Sequence, residues 1–277
     1  MPNRIDLHIH TFFSDGLASP KEVLEMVRQE KLEAFAICDH DNLSGFFEMR
    51  KLLTDGDPEL IAGVELSAGG DNEDLHILGY GFDPESDVLK NALEEFRLKR
   101  DHRGKKMLAK LKEMRIDIPY ETVMEFAGRS AIGRPHIADA MLKIGAVRSY
   151  ESAFLKFIGN KGPAYVAKQN LAPGEAIDLI HRSGGLAFLA HPGVNNAARH
   201  IDELLTLGLD GIEVYHPQHN RSQCKTYMKM AESKGLLAVG GSDYHGREGT
   251  QGAIGYQDVP VALLEALKTK LALINRG

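Results

Sequence analysis

Ile5-Asp6-Leu7-His8-Ile9-His10-Thr11-Phe12-Phe13-Ser14-Asp15-Gly16 reads as a strand running into a turn. Ile5, Leu7 and Ile9 alternate with Asp6, His8 and His10, the period of two that marks a β-strand. His8 and His10 therefore share one face. Two imidazoles so close, at the end of a strand, form a chelating pair, and Asp15 follows in a turn marked by Ser14 and Gly16. Imidazole and carboxylate together suit borderline and moderately hard cations. Taken alone, the same residues fit an exposed polar edge strand equally well. The rest of the chain decides between the two.

Moving outward, Ser19-Pro20-Lys21-Glu22 has the form of a capping box with proline at the first helical position, and an apolar helical face follows. Apolar runs at residues 34–38, 60–64 and 75–80 predict buried strands, ending in Asp39-His40, at Glu65 and around His76. A helix through Phe46, Phe47 and Leu52 separates the first two. The pattern then turns helical, with segments expected at 89–111, 122–127, 135–143 and 149–157, and strand character returns only near 162–166. A simple βα alternation does not carry so long a helical stretch. Residues 97–165 are therefore expected to form a helical insertion between barrel segments 1–96 and 166–277. Alternation resumes with a helix at 173–183, closed by Gly184-Gly185. Strands follow at 186–190, 211–215 and 236–239, then a last helix from Val261. Seven strands mostly separated by helices predict an α/β fold: a parallel sheet closed into a barrel, with its chemistry at the strands' C-terminal ends.

The 277 residues, 43% of them hydrophobic, suffice for a full core, and the net charge of −6 argues against a general nucleic-acid coat. Cys38 and Cys224 are the only cysteines, so no disulfide framework is expected and a reducing compartment is. No apolar run approaches the roughly 20 residues of a membrane span. The first residues pattern as a strand rather than a signal peptide. The expectation is a cytoplasmic protein, with no membrane association and no protein partner indicated.

The polar residues at or just past the strand ends are His8, His10, Asp15, His40, Glu65, His76, His191, Asp243 and His245. One histidine ending a strand is usually structural. Six histidines and three carboxylates on one rim would, without cations, be a poorly solvated cluster of competing charges. The nitrogen and oxygen donor set, free of thiolates, suits Mn, Fe or Zn.

These motifs, His8-Ile9-His10 with Asp15, Asp39-His40, Gly63-Val64-Glu65, Leu75-His76-Ile77-Leu78-Gly79, Ala190-His191-Pro192 and Ser242-Asp243-Tyr244-His245, resemble in kind and order those of the PHP (polymerase and histidinol phosphatase) metallophosphoesterases. The resemblance spans the chain outside the insertion. It implies a distorted (β/α)7 TIM-like barrel carrying a trinuclear metal centre, with Mn the first expectation. It implies one metal on His8, His10, Glu65 and Asp243. A second would sit on Glu65, His76 and His191, with Glu65 bridging, and a third on Asp15, His40 and His245. Nine residues then supply about three ligands per ion and leave positions for water and substrate. Glu65 and Asp243 stand as the ligands that carry catalysis. Divalent cations neutralise phosphate oxygens and lower the pKa of a bridging water, whose hydroxide attacks phosphorus in line. For protonating the leaving alkoxide, His216 near a strand end and a metal-held water both remain open. Asp6 and Asp39 are open between orienting ligand imidazoles and pairing with backbone.

In the insertion, Gly133-Arg134-Pro135-His136 begins a helix whose N-terminus suits a phosphate, with Arg134 and His136 as candidate substrate contacts. This motif also resembles the insertion of PHP proteins acting on 3′,5′-nucleoside bisphosphates and on RNA 5′ ends. Residues 97–115 hold nine Lys or Arg against Asp101 and Glu113. Such a run is commonly a solvated helix face; the alternative is an electrostatic funnel for a nucleotide or short RNA. The leading expectation is a phosphatase removing the 3′-phosphate of 3′,5′-nucleoside bisphosphates. The alternatives are a 5′→3′ exoribonuclease on short RNA and a non-catalytic metal-binding regulatory module.

Overall fold

The computed structural model describes residues 4–69, 75–128, 132–167, 171–247 and 252–274. The chain opens with β1 (Arg4–Ile9), α1 (Pro20–Gln29), β2 (Ala34–Ile37), α2 (Ser44–Leu52), β3 (Glu59–Ala68) and β4 (Leu75–Tyr80). Helices α3 (Asp87–Glu113), α4 (Tyr120–Ala127), α5 (Arg134–Lys143) and α6 (Tyr150–Ala153) follow, the last passing into one π-helical turn, Phe154–Ile158. Then come α7 (Pro173–Arg182), β5 (Leu186–Leu189), α8 (Ile201–Thr206), β6 (Gly211–Tyr215), α9 (Arg221–Lys234), β7 (Leu237–Gly240), β8 (Val259–Pro260) and α10 (Val261–Ile274). The capping box of α1 forms as its sequence demands: Ser19 Oγ accepts from Glu22 N–H, and the Glu22 carboxylate accepts from Ser19 N–H at 2.7 Å.

One sheet runs in the order β7-β6-β5-β4-β3-β2-β1-β8 and is nearly closed into a distorted barrel. β7 comes back beside β1, where His10 N–H donates to Tyr244 O at 2.9 Å. Gly241 permits that approach, because a Cβ there would lie 2.4 Å from His8 N.

The sheet differs from the expected all-parallel one. β4 runs antiparallel to both β3 and β5, and β8 is a two-residue antiparallel partner of β1, making eight strands rather than seven. The connection between β3 and β4 is too short for the crossover a parallel pair requires. β3 also continues past Glu65 to Ala68, and residues 162–166 form a bend, a turn and irregular chain rather than a strand.

Two apolar cores face across α3. Leu89, Leu93 and Phe96 in its first half pack with the barrel residues Val64, Ile77 and Ile180. Met107 and Leu111 in its second half join Val123, Ile137 and Ala164 in a separate cluster of the insertion. No helix among the described residues is long and apolar enough to cross a membrane.

Candidate metal centre

β1 ends with His8 and His10 side by side, their Nε2 atoms 3.1 Å apart. The loop after β1 is folded back by Asp39, which accepts from Thr11 N–H at 2.8 Å, Thr11 Oγ1 at 2.7 Å and Ser14 Oγ at 2.6 Å. That fold brings Asp15 to the rim. Asp6 accepts from the N–H groups of Ser242 and Gly255, each at 2.9 Å, and so ties β1 to the loop carrying Asp243. Of the two roles left open for Asp6 and Asp39, hydrogen bonding to backbone and loop hydroxyls is the one seen here. Burial pushes both carboxyls up, against the hydrogen bonds they accept.

His76 reaches the rim from the N-terminal end of β4, because that strand runs antiparallel. In the β3–β4 register Glu65 faces Leu78 and Ser67 faces His76, which puts Glu65 and His76 diagonally on one face. Glu65 Oε1 then lies 2.8 Å from His76 Nδ1 and 3.1 Å from His191 Nε2. Glu65 Oε2 lies 3.2 Å from His10 Nε2 and from His40 Nδ1, and 3.4 Å from His8 Nε2. Asp243 Oδ1 lies 3.4 and 3.3 Å from His8 and His10 Nε2. Asp15 Oδ1 lies 3.1 Å from His245 Nε2.

All nine candidate ligands thus converge around Glu65, Asp243 and Asp15. Among the described residues, three groups have donor atoms all within 4.8 Å of one another: His10 with Asp15, His40 and His245; His8 with His10 and Asp243; and His40 with Glu65 and His76. Cation ligands at about 2.0–2.2 Å from an ion are themselves separated by about 3 Å or a little more, the spacing seen here. Two buried donors bear on the fit. Asp15 Oδ1 and His40 Nδ1 make no hydrogen bond despite their close neighbours. A cation satisfies such lone pairs directly.

Burial alone would raise Glu65, Asp15 and Asp243, but the imidazoles around them outweigh it and hold all three well below the usual carboxylate range. For His8 and His10 burial works against the charged form, yet the facing carboxylates raise both, His10 to about 10. For His40 burial wins, and its pKa falls to about 3. The carboxylates are therefore ionised at neutral pH, and protons on His8 and His10 stand where cations would bind. Backbone strain gathers at the same rim: Asp41, His191 and Asp243 all have positive φ, at 49°, 27° and 48°.

His216 is buried and both its ring nitrogens are engaged. Nδ1 accepts from Gln218 N–H at 3.1 Å, leaving Nε2–H to donate to Asp243 Oδ2 at 3.2 Å. His216 thus stands against the candidate ligand Asp243, at the rim where the sequence places a candidate acid. Glu213 was not singled out from the sequence, yet it is wholly buried with its carboxylate 2.9 Å from His8 Nδ1. A carboxylate in the middle of an apolar strand was the available signal.

A cleft of about 210 Å³ lies between this cluster and the insertion. Asp15, His40 and His76 line one side; Lys99, Arg100, Arg103 and Lys106 of α3 and Arg134 of α5 line the other. Arg100 is anchored on Asp41 and on Ser67 Oγ, both at 3.0 Å. Arg134 donates to Asn160 Oδ1 at 2.6 Å and sits 5.8 and 5.9 Å from the ring centres of Phe154 and Tyr165. His136 also lines the cleft, with both ring nitrogens engaged. Its Nδ1 accepts from Gly133 N–H at 3.1 Å and its Nε2–H donates to Ser14 O at 2.7 Å.

A family model described as the PHP domain matches residues 6–152. The chain belongs to the PHP domain family. It is 31% identical over 247 residues to a 3′,5′-nucleoside bisphosphate phosphatase of Chromobacterium violaceum, covering 87% of each chain. It is 29% identical over 250 residues to a 5′-3′ exoribonuclease of Haemophilus influenzae, covering 88% of this chain and 91% of that one. A crystal structure of a Bifidobacterium adolescentis protein assigned to the metal-dependent phosphoesterases without an established activity superposes with a TM-score of 0.86 at 28% identity, covering 98% of this chain and 97% of that one. With its His, Asp and Glu cluster able to bind metal, this PHP protein is a metal-dependent phosphoesterase.

Proposed function

We propose that this phosphoesterase removes the 3′-phosphate of 3′,5′-nucleoside bisphosphates. The observation that carries the reading is a cleft with two poles, one of candidate ligands for cations and one of fixed cations. Candidate metal ligands form one pole, and Arg134 at the N-terminus of α5, with the α3 cations, forms the other. A substrate with a phosphate at each end matches that polarity. We assign His8, His10, Asp15, His40, Glu65, His76, His191, Asp243 and His245 to three divalent ions, with Mn preferred and Fe or Zn compatible with the same donors. Bound ions supply charge neutralisation at the phosphoryl group and an activated water.

The chain's own residues do the rest. Arg134 fixes the phosphate that does not react, and its contacts with Phe154, Tyr165 and Asn160 hold its guanidinium in place. Arg100, braced by Asp41 and Ser67, presents a cation beside His40. His216 keeps one oxygen of Asp243 occupied, so that Asp243 Oδ1 faces His8 and His10.

The second reading is a 5′→3′ exoribonuclease on short RNA. It is favoured by Lys99, Arg103 and Lys106, cations spaced along α3 that line the cleft together with Arg100 and could meet successive phosphates of a strand. The test is phosphate release from adenosine 3′,5′-bisphosphate by Mn-reconstituted protein, beside shortening of a 5′-phosphorylated RNA oligomer, with E65Q as the control that loses turnover. Fast release with slow shortening supports the phosphatase; shortening at equal or higher efficiency supports the exonuclease. Turnover of neither by metal-loaded protein rejects both.

A further inference from the structure

Glu213 carries a charge at the centre of the apolar strand β6 and has no solvent exposure. It lies outside the nine residues assigned to the metals. Its Oε1 is 2.9 Å from His8 Nδ1, and its Oε2 accepts the backbone N–H of His191 at 2.7 Å. His8 stands on β1 and His191 just past β5, so one carboxylate touches two ligand-bearing elements from a third. The opposite nitrogen of His8, Nε2, faces Glu65 Oε2 and Asp243 Oδ1, each at 3.4 Å. A proton on Nδ1 shared with Glu213 leaves the Nε2 lone pair for a cation and fixes the plane of the ring. His191 holds φ at 27°, a conformation a non-glycine residue keeps only when its surroundings impose it, and the bond from its N–H to Glu213 is one such restraint.

We propose that Glu213 is a positioning residue of the metal centre. It sets the tautomer and ring orientation of His8 through one oxygen and the backbone of His191 through the other. The proposal rests on the metal-centre assignment above. Among side chains of this size only a carboxylate does both, because both contacts need an acceptor. Glutamine offers one acceptor and one amide donor, so either flip sets its NH₂ against the His8 Nδ1–H or the His191 N–H. E213Q therefore keeps the volume and gives up one of the two bonds.

The test reads metal binding rather than turnover. In zinc-loaded wild-type protein, a long-range ¹H–¹⁵N spectrum is expected to show His8 with its proton on Nδ1 and the metal on Nε2. In folded E213Q, the dissociation constant for Mn²⁺, measured by competition with a chelator, is expected to rise about 10- to 100-fold. A proton on Nε2 of His8 in the loaded wild type overturns the proposal. So does an E213Q constant within twofold of wild type, which would leave Glu213 a purely structural carboxylate and the metal centre intact. If E213Q does not fold, the wild-type spectrum decides alone. Wild-type protein that binds no metal removes the metal-centre assignment itself, and the proposal with it.

Discussion

His136 on α5 donates from Nε2 to the carbonyl oxygen of Ser14, at 2.7 Å, across 122 residues of sequence. Ser14 immediately precedes Asp15, so the insertion grips the loop that brings a candidate ligand to the rim. Burial lowers the His136 pKa, which keeps the ring neutral, and Gly133 N–H on Nδ1 directs the proton to Nε2. Replacing it in H136A leaves a buried carbonyl without this donor, at about 1–3 kcal/mol. The expected result is a weaker hold on Asp15. Metal analysis should then find fewer bound equivalents than in wild type at limiting Mn²⁺. Unchanged stoichiometry and affinity would show that the Asp15 loop stands without the insertion.

A second grip lies close by. Arg247, two residues beyond His245, makes a two-point contact with Asp139 of α5 at 3.1 and 2.9 Å, and its guanidinium lies 4.5 Å from the Tyr150 ring centre. Both partners are mostly shielded from solvent, so this pair is worth more than a surface ion pair. D139N is expected to lower stability by about 1–3 kcal/mol. For a chain of this length that is several degrees in melting temperature. A D139N melting curve superimposable on wild type would argue that the pair is idle.

Metal uptake should depend on pH with a definite sign. His8 and His10 bind protons more tightly than free histidine, His10 with a pKa of about 10. Cations must displace those protons, so metal affinity falls as pH falls and proton release accompanies binding. In the metal-free protein the same raised values contribute stability that is complete below about pH 6.5 and lost as pH rises towards 10. Chelated protein should accordingly lose thermal stability across that window, while Mn-loaded protein should not. Calorimetric titrations in buffers of different ionisation heat would count the protons; a count of zero contradicts the electrostatics described here.

Much of this site is legible in the sequence because strand periodicity converts spacing into geometry. The alternation of Ile5, Leu7 and Ile9 puts His8 and His10 on one face, and Glu65 within β3 meets His191 just past β5 on the same rim. The direction of β4 was also legible, since the chain between Ala68 and Leu75 cannot hold a crossover helix, but apolar pattern alone carries no direction. Two residues of β8 are too few to show any period. Glu213 betrays itself only as a charge in an apolar run, and its partners lie on other strands. The clasp between His136 and Ser14 has no local signal at all, because nothing in either segment specifies the other.

The cations over the cleft separate the two substrate readings. Arg134 stands at a helix N-terminus, where under the bisphosphate reading the backbone N–H groups and the guanidinium would address one phosphate together. If the substrate is a bisphosphate, R134A removes a charge-assisted contact worth about 1.5–3 kcal/mol, which lowers kcat/KM about 10- to 100-fold. K106A, farther along α3, should then matter little for the bisphosphate. If the chain shortens RNA, the row formed by Lys99, Arg103 and Lys106 meets successive phosphates. K106A should then weaken RNA turnover and flatten its dependence on salt. Measuring both variants on both substrates at two salt concentrations gives opposite orders of damage for the two activities. Equal damage in every combination would mean that neither end of the cleft reads the substrate.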